Sequence, residues 1–177
     1  MSAKRVVVTG ASSGIGRELS LHCASRGHRL VLSARREGLL REVAEECHRL
    51  GSPQVEVEAF DIGHVGEAAR LRSAVQSLGL GRVVLVNNAG FGLFGPYHET
   101  PWETVAAHVQ VLLLGAMAAT RELLPLMLDA RDGHIVNVLS ITTQVALPGS
   151  AASSAAKGGR YAFGKALSAK GAPKGGR

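Results

Sequence analysis

The sequence predicts an α/β fold, a doubly wound parallel sheet of about five strands held between two helical layers. Three observations carry this. Short apolar runs alternate with longer amphipathic stretches along the chain. The short runs are Val-rich and almost continuously apolar, as strands buried on both faces are. The spacing between them accommodates one crossover helix each, as right-handed βαβ connections require.

Val6–Thr9, Leu30–Ser33, Val55–Phe60, Val83–Asn87 and His134–Leu139 read as strands bounded by Gly, Asn or Asp. Between them Ile15–Ser25, Glu37–Leu50, Val65–Leu78, Trp102–Leu128 and Ser150–Lys170 read as helices. The fourth helix has a start signal: Thr100 as cap, Pro101 at the first helical position, and Glu103 at capping-box spacing. The Gly/Lys-rich end from Lys170 to Arg177 reads as a helix stop.

A length of 177 residues and the absence of repeats or linkers predict a single domain, residues 1–177. Hydrophobic residues make up 46%, charged residues 19%, and mean hydropathy is +0.14, which excludes intrinsic disorder. No apolar run is expected to span a membrane, which needs about 18 residues. Met1–Arg5 leads straight into a strand without a secretory signal. Cys23 and Cys47 match no metal spacing and are too few for a disulfide scaffold, which points to a reducing, cytoplasmic setting. The net charge of +6 is partly local, with Lys165, Lys170, Lys174 and Arg177 at the end. With aromatics at 4%, stacking platforms for nucleic acid are lacking and no nucleic-acid partner is expected. His64, His98 and His108 read as surface residues rather than ligands.

Thr9-Gly10-Ala11-Ser12-Ser13-Gly14-Ile15-Gly16 joins the first strand to the first helix. Gly10 permits a tight turn, while Gly14 and Gly16 let backbone approach a pyrophosphate and helix pack on sheet. The helix start then draws phosphate through its free N–H groups and dipole. The same segment spells the G-x-S-x-G of a hydrolase elbow, but no later acid and histidine are placed to serve Ser12. Ser154-Ala155-Ala156-Lys157 spells S-x-x-K without that motif's companions, and is read as coincidence.

Four further markers follow in order: Asp61-Ile62 after the third strand, Asn87-Asn88-Ala89-Gly90 after the fourth, Asn137-Val138-Leu139-Ser140 after the fifth, and Ser153-Ser154-Ala155-Ala156-Lys157 opening the last helix. With the glycine loop they resemble the short-chain dehydrogenase/reductase family, classical type, over residues 4 to about 175. The resemblance implies a Rossmann-type fold. It implies that Gly10, Ser12, Ser13, Gly14, Ile15 and Gly16 hold the pyrophosphate, with Asp61 and Ile62 at the adenine. Asn88, Ala89 and Gly90 would line the nicotinamide-side ribose, Lys157 would bond that ribose and lower an acid's pKa, and Ser140 would orient the substrate oxygen. Where an NAD enzyme carries an acid this chain has Ala34, followed by Arg35 and Arg36, so NADP(H) is favoured over NAD(H).

Three departures accompany the resemblance. Ser153 stands where the family has its acid/base tyrosine, four residues before Lys157 and 13 after Ser140; Tyr161 lies two turns further on, ~12 Å along the helix. Leu112 stands where a relay asparagine is expected. The sequence extends through five of the family's strands and not its last two, which is expected to leave the fifth strand as an edge. The expected activity is an NADP(H)-dependent oxidoreductase of a carbonyl or secondary alcohol, with Ser140, Lys157 and Ser153 at the reacting centre. The Phe91–Tyr97 loop suggests an apolar substrate, and the last two helices a homodimer or tetramer. The alternative is a non-catalytic NADP(H)-binding protein, a sensor or oligomer partner, or an inactive shortened copy of a reductase.

Overall fold

The computed structural model describes residues 3–145 and 147–171, the last three as backbone only. Its strands are β1 (Arg5–Thr9), β2 (Arg29–Ala34), β3 (Val55–Ala59), β4 (Val83–Asn87) and β5 (Gly133–Asn137). All pair in parallel, in the order β3-β2-β1-β4-β5. The helices are α1 (Gly14–Ala24), α2 (Glu37–Arg49), α3 (Ala69–Ser77), α4 (Trp102–Val109), α5 (Ala116–Asp129) and α6 (Ala151–Gly171). The predicted Rossmann-type sheet is therefore present, and the basic end from residue 172 onward lies outside the described residues.

Central strand β1 explains its own sequence. Val7 is fully buried against Val31, Leu85 and the α3 and α5 side chains Leu71, Val75 and Leu123. Val6 and Val8 point to the opposite face, beside Leu30, Leu32, Leu40, Val43 and Cys47. A strand covered on both faces has no polar side to display, so its run is unbroken. Buried Arg5 closes the other end, its guanidinium donating to the carbonyls of Val75, Gly79 and Gly81 where α3 stops.

The fourth predicted helix is not one α-helix. Between α4 and α5, Gln110–Gly115 forms a π-helical segment. The widened turn sits against the loop after β3: Gln110 Nε2 donates to Gly63 O at 2.9 Å, and a Cβ on Gly115 would lie 2.7 Å from Ile62 O. Helix and loop meet backbone to backbone there, which an ordinary side chain would prevent. Thr100 does not cap α4; its hydroxyl donates to Pro96 O, and the helix begins on Pro101 O.

Taken together, Trp102–Asp129 is 28 residues long with a peak mean hydropathy of 1.6, so one helix is long and apolar enough to cross a membrane, contrary to expectation. In this fold its inward stripe (Val105, His108, Leu112, Ala116, Ala119, Leu123, Met127) packs inside the protein at helical spacing. Cys23 and Cys47 are free, and burial pushes the Cys47 thiol up to about 12.

Gly14 and Gly16 separate the loop's two demands. A Cβ at Gly16 would collide with Gly10 O and the Asn88 amide, whereas one at Gly14 meets nothing within 4 Å. Gly16→Ala should lower stability by about 1–3 kcal/mol in thermal or urea unfolding. Gly14→Ala should cost only the left-handed backbone penalty at φ +54°, about 1–2 kcal/mol.

Candidate functional site

Strand order reverses between β1 and β4, so connections leave the sheet in opposite directions and open a crevice beyond their C-terminal ends. A clasp holds it open. Asn88 Nδ2 donates to Thr9 O at 2.9 Å, and the Asn88 and Ala89 N–H groups donate to Thr9 Oγ1 at 3.0 and 3.1 Å. Gly10 and Ala11 N–H groups donate to Ser33 O, tying the loop to β2 as well. Gly10 takes φ +71°, turning the chain into α1, whose first N–H groups have no preceding helical turn to bond.

The cleft beside this loop brings together Gly10, Ser12, Ser13, Arg35, Arg36, Asp61, Ile62, Ala89 and Gly90. Gly14, Ile15, Gly16, Asn88 and Lys157 lie outside its lining; Gly16 and Asn88 act from behind as packing and clasp. The two arginines divide the mouth. Arg36 Nη2 donates to Ser12 Oγ at 3.1 Å and Ser13 Oγ at 2.8 Å. Arg35, 69% exposed at its side chain, faces Asp61 Oδ2 across 3.7 Å. Asp61 Oδ1 accepts the Gly63 N–H at 2.9 Å, which fixes the carboxylate. The cleft mouth thus presents two guanidiniums and two serine hydroxyls beside a glycine turn, a donor set suited to anionic oxygens.

The expected catalytic residues Ser140, Ser153 and Lys157 gather between the end of β5, α4 and α6. Ser140 Oγ accepts the Thr142 N–H at 3.2 Å. Lys157 Nζ donates to Val138 O at 2.7 Å, and Arg160 Nη2 donates to the same oxygen. Ser153 Oγ donates to Leu93 O at 3.1 Å and lies 2.9 Å from His108 Nε2. His108 is wholly buried, with Phe91 edge-on at 4.9 Å, which corrects its reading as a surface residue. The signal was available: His108 falls three residues after Val105 and four before Leu112, on the inward stripe. Leu112 itself packs toward Gly90, whose added Cβ would meet it at 3.3 Å. His64 and His98 are exposed, as expected.

This corner is cationic. Burial, with Arg160 adding repulsion, pushes the Lys157 ammonium down to about 8, and burial pushes Arg160 down to about 10. Burial first and Lys157 second lower the His108 imidazole. Arg160 is 1% exposed, its Nε has no partner, and no carboxylate within ion-pair distance answers either cation among the described residues.

Two outcomes follow from these buried cations. Arg160→Met should raise unfolding stability at neutral pH by about 1–2 kcal/mol, because an uncompensated charge leaves the interior. A lowered Lys157 value means the folded chain binds fewer protons than the unfolded chain between pH 8 and 10.5. That group's contribution to stability therefore rises with pH across the window, and Lys157→Met should flatten this part of the denaturation profile.

The short chain dehydrogenase family model matches residues 4–175. The bovine "Dehydrogenase/reductase SDR family member 7B" is 34% identical over 89% of this chain and 50% of its own length. An uncharacterized oxidoreductase of Myxococcus xanthus is 34% identical over 89% of this chain and 62% of its own. The chain thus spans half to about three-fifths of the length of such relatives. Among solved structures, a short-chain dehydrogenase from Streptomyces avermitilis superposes with a TM-score of 0.88 at 31% identity, covering 97% of this chain and 62% of that one. A metagenomic short-chain oxidoreductase in complex with NADP also gives 0.88, at 34% identity, covering 96% and 77%. With its glycine loop, switch-point crevice and lysine-bearing last helix in one frame, the chain belongs to the short-chain dehydrogenase family.

Proposed function

We propose that the chain binds NADP(H) in the crevice between β1 and β4 and serves hydride transfer to or from a carbonyl or secondary alcohol. The observation that carries the reading is the pair Arg35 and Arg36 at the cleft, following Ala34 where an acid would hold a free 2′-hydroxyl. The resemblance to a relative solved with NADP supports it.

The cofactor supplies a hydride donor or acceptor; the chain's residues hold and orient it. Ser12 and Ser13 would offer hydroxyls, and Gly14 and Ile15 N–H groups, to the diphosphate, with Gly16 packing the helix start behind them. Arg35 and Arg36, which rest on Asp61 and the two serines, would hold the 2′-phosphate. Asp61 and Ile62 would meet the adenine, while Ala89 and Gly90 would wall the nicotinamide-side ribose, with Asn88 clasping that wall from behind. Lys157, held on Val138 O, would bond that ribose, and its positive charge would favour an alkoxide in the substrate. Ser140 orients the substrate oxygen, and Ser153 faces it where the family carries a phenol.

A second reading, cofactor binding without turnover, is favoured by Ser153, whose hydroxyl is a far weaker acid than a phenol. Assembly as a homo-oligomer in the cytoplasm, on small molecules and with neither nucleic acid nor membrane, completes the proposal. Two free cysteines support the reducing setting.

Calorimetric titration with NADPH and with NADH tests the reading. NADPH should bind at least about tenfold tighter, worth 1.4 kcal/mol. Arg36→Ala should remove most of that preference while sparing NADH. Equal affinity for both cofactors would overturn the arginine assignment, and binding of neither would overturn the cofactor reading.

A further inference from the structure

Of seven histidines, His108 is the buried one, and it lies within the reacting corner. A buried imidazole on an otherwise apolar stripe is costly unless its nitrogens are used. Nε2 is used, by Ser153 Oγ at 2.9 Å, whereas Nδ1 has no partner. Ser153 projects from α6 one turn before Lys157, at the position that faces the substrate oxygen in the proposed function.

The Ser153 hydroxyl has two places to send its proton, Leu93 O at 3.1 Å or His108 Nε2. In the first arrangement Nε2–H donates to Oγ; in the second Nε2 accepts from it. A hydroxyl poised between these arrangements can pass a proton, which an isolated serine cannot do efficiently. Lys157 on α6 is the charged group acting on the imidazole. The loop after β4 contributes only the Phe91 edge and the Leu93 carbonyl.

We propose that His108, acting through the Ser153 hydroxyl, supplies the acid/base function that the missing tyrosine would have carried. The inference rests on the hydride-transfer reading of this site. In the oxidative direction the alcohol proton passes to Ser153 Oγ as the serine's own proton passes to His108 Nε2. The carbon–hydrogen bond breaks, its electron pair leaving as hydride to the oxidised nicotinamide dinucleotide, and the carbon–oxygen double bond forms. Once the ketone has left, the imidazolium returns its proton through Ser153 Oγ to water entering the vacated corner. Reduction is the reverse, with imidazolium as donor. His108 is a positioning and proton-holding residue; Ser153 is the group that meets the substrate. Burial and Lys157 favour the neutral imidazole, so oxidation should fail only as pH falls through an ionisation below the ordinary histidine value.

The first test needs neither cofactor nor substrate. In nitrogen-15 histidine spectra of the whole chain, the His108 ring should titrate below 6.5, and Ser153→Ala should displace its Nε2 signal. An ordinary titration, or an Nε2 signal indifferent to Ser153→Ala, overturns the relay. The second test follows NADP+ reduction with a panel of secondary alcohols that includes 1-phenylethanol. His108→Gln and Ser153→Ala should each lower kcat about 100-fold with KM little changed. Both should abolish the acidic limb of the pH profile, and the double variant should be no worse than either single. Full kcat and an intact acidic limb in both variants, with NADPH still bound, overturn the relay but leave the reductase reading standing. An unaltered chain that binds NADPH yet turns over no alcohol overturns the relay and favours the binding-only reading. A chain that binds no NADPH removes the reading on which the relay rests.

Discussion

The crevice depends on the clasp between the end of β4 and the turn after β1. The Asn88 side chain reaches back to the Thr9 carbonyl, while the Thr9 hydroxyl receives two N–H groups from the segment after β4 and itself donates to Val86 O. These bonds occupy backbone groups that would otherwise be buried and unpaired, which is costly. They also determine where the phosphate loop begins. Gly16 can then bring α1 close to Gly10 O, so the helix start abuts the glycine turn beside the cleft.

Across the cleft the chain departs from a balanced interior. Lys157 and Arg160 converge on one acceptor, the Val138 carbonyl, with no carboxylate among the described residues to answer them. A lysine with a lowered ionisation value is common where chemistry is done. Arg160 Nη2 shares that carbonyl, but its Nε is orphaned and its burial carries a stability cost with no carboxylate to offset it among the described residues. The corner is therefore assembled around positive charge, and Ser153, His108 and Lys157 belong to one electrostatic unit.

Much of the fold was legible because its signals are local. The β1 run is continuous because both faces are buried, and the glycine loop stands at a junction where Gly10 takes φ +71° and Gly16 must approach backbone closely. The π-helical Gln110–Gly115 segment was not legible, because it arises from the close meeting of Gly115 with Ile62, residues distant in sequence. The Thr100 capping signal was outcompeted by a nearer acceptor, Pro96 O. His108 read as a surface residue although helical spacing puts it on the inward stripe, and only the fold brings Ser153 to it. The arginines were found by position in the sequence. Their division of labour, one on the loop serines and one toward Asp61, depends on side-chain reach that sequence does not encode.

Amide hydrogen exchange of the whole chain with and without NADPH tests the central claim most directly, because it reports where the cofactor is held. The account predicts protection concentrated in the loop from Gly10 to Gly16, at Arg35 and Arg36, and across Asp61–Ile62 and Asn88–Gly90. Protection confined to other segments, with these unchanged, would contradict the assignment of the crevice between β1 and β4 as the nicotinamide dinucleotide site.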